Sequence, residues 1–204
     1  MKKRMLALAL VLVLCIGLLT VSAFAERHEP ELVIEPVVVG RLASSSQNAP
    51  NDMEFSTFTD MTDDDWYYKA AYYCTEKGLL APVDYRTFGA KQEVLSGTVM
   101  EILAHLAGVE TQGSPKFQRA QEWLGNTGID QGMDPEGVIN RQDLAELLMN
   151  YANYRKFDSV PAEDGMSWAV ANGILEGAKG ELMPEAIVNR GQLAVILMRF
   201  CEAF

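Results

Sequence analysis

Two arginines with matching neighbours carry the chemistry this sequence offers. Val138-Ile139-Asn140-Arg141-Gln142-Asp143 runs into Leu144-Ala145-Glu146-Leu147-Leu148, and Ile187-Val188-Asn189-Arg190-Gly191-Gln192 runs into Leu193-Ala194-Val195-Ile196-Leu197. An arginine in the first turn of a helix suits a ligand bearing a carboxylate. Its fork of N–H donors matches two oxygens, and the unpaired amides of that helix end add positive potential. Lysine would bring the charge without the fork. The competing reading pairs Arg141 and Arg190 with acids such as Glu136, Asp143 or Glu146, as surface arginines often do for little net gain.

Other residues could complete a sugar site around them. Trp123, Trp168 and Tyr73 could stack on a sugar ring, although aromatics at helical spacing generally belong to a core. Core packing with one edge turned to a groove is expected. Gly132 and Gly177 are turn residues first, and the missing Cβ also lets a ligand approach the backbone. Asp134 to Asp143 resembles the latter part of an EF-hand or dockerin-type calcium loop, with Gly137 at the turn and Asp143 at the last ligand position. Its first ligand position falls on Gly132, which has no side-chain oxygen, and the later copy carries Glu181, Met183 and Ala186 in the matching loop. The preferred reading has no metal and no cofactor. Asp63-Asp64-Asp65 reads as an N-cap cluster. His28 and His105 are the only histidines, and the chain has no nucleophile elbow, phosphate loop or metal-ligand pair, so no enzyme is expected.

Charge narrows the partners. Residues 1–25 read as a secretory signal peptide: Lys2, Lys3 and Arg4 precede an uncharged run, and Ala23-Phe24-Ala25 offers a cleavage site. Removing those 3 basic residues from 17 leaves 14 against 28 acidic, a mature net charge of −14. Nucleic acid is excluded as a partner, because binding it needs a basic face. The mature chain is expected to be exported, with no membrane span. Of the three cysteines, Cys74 and Cys201 remain after cleavage, each in an apolar helical pattern where a buried free thiol is common. Residues 26–54 read as a disordered tail and linker, with one apolar patch from Leu32 to Val39.

Positioning the arginines falls to a threefold repeat. Val99, Ile102, Leu103 and Leu106, then Leu144, Leu147, Leu148 and Tyr151, then Leu193, Ile196, Leu197 and Phe200 share the i, i+3, i+4, i+7 spacing of an amphipathic helix. Three residues before each stripe stand Ser96, Arg141 and Arg190; six before those, Ala90, Pro135 and Pro184. Upstream, Gly78, Gly128 and Gly173 predict left-handed ends of a preceding helix, and Tyr73, Trp123 and Trp168 each lie five positions earlier. Asn140 and Asn189 predict N-caps, with Asp143 and Gln192 placed to bond back. Each unit is helix, loop, helix, an all-α architecture whose units must share one core. The units occupy residues 55–107, 116–154 and 157–204.

Phe58-Thr59-Asp60-Met61, Trp66-Tyr67-Tyr68-Lys69-Ala70-Ala71 and Glu76-Lys77-Gly78-Leu79 resemble the opening of an S-layer homology repeat. The Asn-Arg helix starts resemble that family's Thr-Arg-Ala-Glu motif, and Phe157-Asp158-Ser159-Val160 reopens the pattern. The resemblance implies three repeats folded as a pseudo-trimer around a central helical bundle. It also implies that grooves between repeats hold pyruvylated secondary cell-wall polysaccharide on a bacterial envelope. The pyruvyl ketal supplies a carboxylate for Arg141 and Arg190, with Asn140, Asn189, Gly132, Gly177, Trp123 and Trp168 around it. Ser96 in the arginine position implies a lost groove in the first repeat. Two alternatives stand beside this: a module that binds another envelope protein, its glycan grooves vestigial, and a calcium-stabilised, dockerin-like module.

Overall fold

The computed structural model describes residues 58–111, 115–130, 132–177 and 180–204. The expected signal peptide, the tail and the Leu32 to Val39 patch lie outside the described residues. Within them the regular structure is all helical: α1 Tyr68–Glu76, α2 Ser96–Leu106, α3 Gln118–Thr127, α4 Arg141–Arg155, α5 Gly165–Ala171 and α6 Arg190–Ala203. Helices α2, α4 and α6 are the three predicted stripes. All their stripe residues are buried except Leu106, which is half-buried.

Local chemistry sets the helix ends. Gly78, Gly128 and Gly173 all have left-handed backbone, with φ of 67°, 74° and 70°, and turn the chain from the first helix into the loop. The Asn140 side chain accepts from the Asp143 amide at 2.8 Å and that of Asn189 from Gln192 at 2.9 Å, so both cap as expected. Only Asn189 completes a capping box, because Gln192 Oε1 reaches back to the Asn189 amide at 3.0 Å. The shorter side chain of Asp143 makes no such bond. Helix α2 starts at Ser96 without a side-chain cap.

One expectation is corrected. Asp63-Asp64-Asp65 does not cap α1, which begins at Tyr68 with no side-chain cap. Asp65 instead accepts from the Thr62 amide at 2.7 Å, closing a turn ahead of the helix.

The loops before α2, α4 and α6 are joined in a closed ring of backbone hydrogen bonds. Ile139 donates to Val94, Val188 to Ile139 and Val94 to Val188, at 2.9, 2.9 and 3.0 Å. In the next layer the donors run the opposite way round: Ser96 donates to Gly137, Arg141 to Ala186 and Arg190 to Gln92. One residue on, Gly97 donates to Pro135, Gln142 to Pro184 and Gly191 to Ala90, the same Ala/Pro/Pro positions that the repeat register aligns. Val94, Ile139 and Val188 are buried at the centre of this ring.

Helix pairing follows the same circle. Helix α3 packs on α2 and α5 on α4, so each first helix rests on the long helix of the preceding unit. Helix α1 packs on α6, at the opposite end of the sequence, and α2 touches α4. No described helix is long and apolar enough to cross a membrane.

Candidate functional site

Each arginine leaves the start of its helix and enters the loop of the unit that follows round the ring. Arg141 Nε donates to the Leu182 carbonyl and Nη2 to the Glu176 carbonyl, both at 2.8 Å. Arg190 Nε donates to the Phe88 carbonyl at 3.0 Å and Nη2 to that of Ala81. Phe88 and Ala81 hold the same places in the first loop as Leu182 and Glu176 in the third. The Arg190 guanidinium also lies 5.2 Å from the centroid of the Phe88 ring, within cation–π range.

The competing pairing of these arginines with Glu136, Asp143 or Glu146 is not found. Glu136 pairs with Lys116 at 3.7 Å, and Glu146 accepts from the Gly165 amide at 3.0 Å. Main-chain carbonyls win because the loop delivers two of them to the fork, whereas Glu136 and Glu146 serve other partners. Of the five donors on a guanidinium, these bonds use two, leaving one N–H edge. Burial lowers the pKa of both groups from its usual value; for Arg190 the nearby Asp60 carboxylate opposes that effect. Asp60 is itself fixed, accepting from the amides of Phe88 at 3.0 Å and Gly89 at 2.8 Å.

Access separates the two arginines. Arg141 is only 6 % exposed, so its free edge meets little solvent, whereas Arg190 is half-buried. Ser96, in the third equivalent position, is 2 % exposed and cannot reach as far as an arginine.

The other predicted residues divide. Asn140 and Asn189 spend their side-chain oxygens on capping. Trp168 is 1 % exposed and donates from Nε1 to Ser159 Oγ at 3.2 Å, so its ring has no face free for a sugar. Trp123 is half-buried, edge-on to Tyr154 at 5.7 Å between centroids. Gly177 is a close-approach glycine: a Cβ there would stand 2.8 Å from the Glu181 carbonyl oxygen. Gly132 has a φ of 108° and room for a Cβ, so its conformation rather than space selects glycine.

Gly132 also borders an open pocket of about 470 Å³ whose walls include Asp130, Asp143, Glu146 and Asn150. Three carboxylates make this a poor place for an anionic sugar. For the calcium alternative, no group of three or more His, Cys, Asp or Glu residues among the described ones could hold a metal ion. Asp130 turns its carboxylate onto the Met133 amide at 3.1 Å, and Asp134 onto that of Glu136 at 3.1 Å. Cys74 and Cys201 are both free thiols.

Reading from sequence missed the carbonyl partners at Ala81, Phe88, Glu176 and Leu182, because a main-chain acceptor leaves no trace in residue type. The paired carboxylate oxygens of Asp60 had a signal, the Phe-x-Asp opening. Neither protein-family models nor curated proteins match this sequence.

Proposed function

We propose that this chain is an exported, non-catalytic anchoring module of the S-layer homology type, holding a bacterial envelope through pyruvylated secondary cell-wall polysaccharide. On this reading its three helix–loop–helix units form a pseudo-trimer around a central bundle, with grooves at the junctions. The supporting observation is the ring itself: three loops bonded head to tail in cyclic order, with helix pairs in the same order. Such a ring creates three junctions, each placing one unit's helix start against the next unit's loop.

Of these, the Arg190 junction suits a sugar carboxylate best. Its guanidinium is anchored by two carbonyls, keeps an N–H edge, and meets solvent more than that of Arg141. The mature charge of −14 is screened beyond about 8 Å at physiological salt, so one local guanidinium can dominate its own groove. The test is co-sedimentation with purified wall sacculi carrying the polymer. Arg190→Gln is expected to lose most of the bound fraction; sedimentation equal to that of the parent chain would sink the site assignment.

A second reading, a protein-interaction module with vestigial glycan grooves, is favoured by one observation. Both arginines already serve main-chain carbonyls, so their shared geometry needs no ligand. Chemical removal of pyruvyl groups from the sacculi discriminates: it abolishes binding on the first reading and leaves it unchanged on the second.

A further inference from the structure

We infer that Arg141 and Arg190 are clamps matched to the length of the loop each one holds, and that Ser96 marks a junction needing no clamp. Arg141 holds the loop from Gly173 to Arg190, and Arg190 holds the loop from Gly78 to Ser96. The loop facing Ser96, from Gly128 to Arg141, is shorter by four and five residues respectively. Arginine therefore occurs at the two junctions with a long loop and is absent at the one with a short loop. The backbone around all three positions is otherwise equivalent, with the residue-96, 141 and 190 amides each bonded across the ring.

The physical reason is the accounting of main-chain groups. A longer excursion carries more carbonyls across the helix start, and the inner ones, on buried Phe88 and half-buried Leu182, would be costly to leave without donors. Each arginine, the first residue of its helix, supplies two donors from one rigid fork. The short loop has less backbone to satisfy. Its Asp130 side chain accepts from the Met133 amide, closing the turn from within. Ser96, 2 % exposed, then stands at a junction whose loop calls for no arginine. This role is independent of any wall ligand, since it concerns only bonds within the chain.

A double-mutant cycle tests it. Asp130–Gly137 is replaced by the third loop's Leu175–Ala186, alone and with Ser96→Arg, and Ser96→Arg is also made in the parent chain. Unfolding is followed in urea. Ser96→Arg is expected to raise the folding equilibrium constant about tenfold in the grafted chain and to leave it unchanged or lower in the parent. An equal effect in both backgrounds overturns the inference. Should the graft not fold, hydrogen exchange on Arg141→Ala and Arg141→Lys decides. Exchange at the loop amides of Ala186 and Val188, bonded to the Met183 and Ile139 carbonyls, is expected to speed up at least tenfold in both, with α1 and α6 unaffected, because lysine lacks the fork. Full protection in the lysine variant, or loss spread evenly over the chain, overturns it too.

Discussion

Gly165 meets Glu146 with no room for a side chain between them: a Cβ on Gly165 would stand 2.5 Å from the Glu146 amide nitrogen. The two are also bonded, the Gly165 amide donating to Glu146 Oε1 at 3.0 Å. Helix α5 therefore starts directly against the backbone of α4, and this contact fixes where the third unit's first helix docks.

Gly165→Ala should destabilise by about 1–3 kcal/mol, since backbone rather than a movable side chain blocks the new methyl. Gly125, inside α3, has nothing within 4 Å of its missing Cβ. Gly125→Ala should therefore stabilise by about 0.5–1 kcal/mol through helix propensity. Thermal unfolding of the two variants should show opposite shifts; a gain in both would mean α5 does not dock this closely.

The two Asn caps should contribute alike, and their N3 partners should differ as their geometry does. Asn140→Ala and Asn189→Ala should each cost about 1 kcal/mol. Gln192→Ala should add a further loss at α6, where Gln192 bonds back to the cap, whereas Asp143→Ala should cost nothing through capping at α4. Urea unfolding midpoints check the ranking, and equal effects of Gln192→Ala and Asp143→Ala would remove the capping box as the cause.

What the residues made legible was everything governed by local rules. Leu144, Leu147, Leu148 and Tyr151 announced α4 by spacing, Gly173 announced the end of α5, and Asn189 with Gln192 announced the start of α6. Arg141 was legible as special but not as to its partner, because both competing readings sought a charged group and the loop offered carbonyls 35 and 41 residues away. Trp168 shows the other limit: helical spacing said core, and only the packing of Phe200 and Phe204 around it decides that no face is left for a ligand.

Alkaline pH should loosen the α1–α6 junction. Burial pushes the Cys74 thiol up to about 12 from 9.0, and burial with the Cys201 contact pushes the Tyr73 hydroxyl up to about 12 from 10.0. Both groups are neutral when protonated and are held so by the fold. Their contribution is therefore complete below pH 9 and is lost as pH rises towards about 12. Urea midpoints should fall over that range, and Cys74→Ala should flatten the slope whatever its effect at neutral pH. An unchanged slope would mean that burial in this junction does not hold the Cys74 thiol protonated.

The rings of Phe157, Phe204 and Trp168 lie nearly parallel in a row, with Phe204 in the middle at 5.1 Å from Phe157 and 6.0 Å from Trp168. Phe204 follows the last turn of α6, while Phe157 and Trp168 belong to the approach to α5 and to α5 itself, so the stack ties the two halves of the third unit together. Stacked aromatic pairs contribute about 0.5–1.5 kcal/mol each beyond the area they bury. Phe204→Leu keeps most of the apolar surface and should cost about 1–3 kcal/mol through three lost pairs, the two in the stack and the edge-on pair with Phe200. Phe204→Ala should cost more, through the added loss of buried area. In a background carrying Trp66→Phe and Trp123→Phe, only Trp168 reports, and its emission should move to the red in Phe204→Ala as water reaches the ring. Emission unchanged from the parent would show that Phe204 does not cover Trp168 in solution.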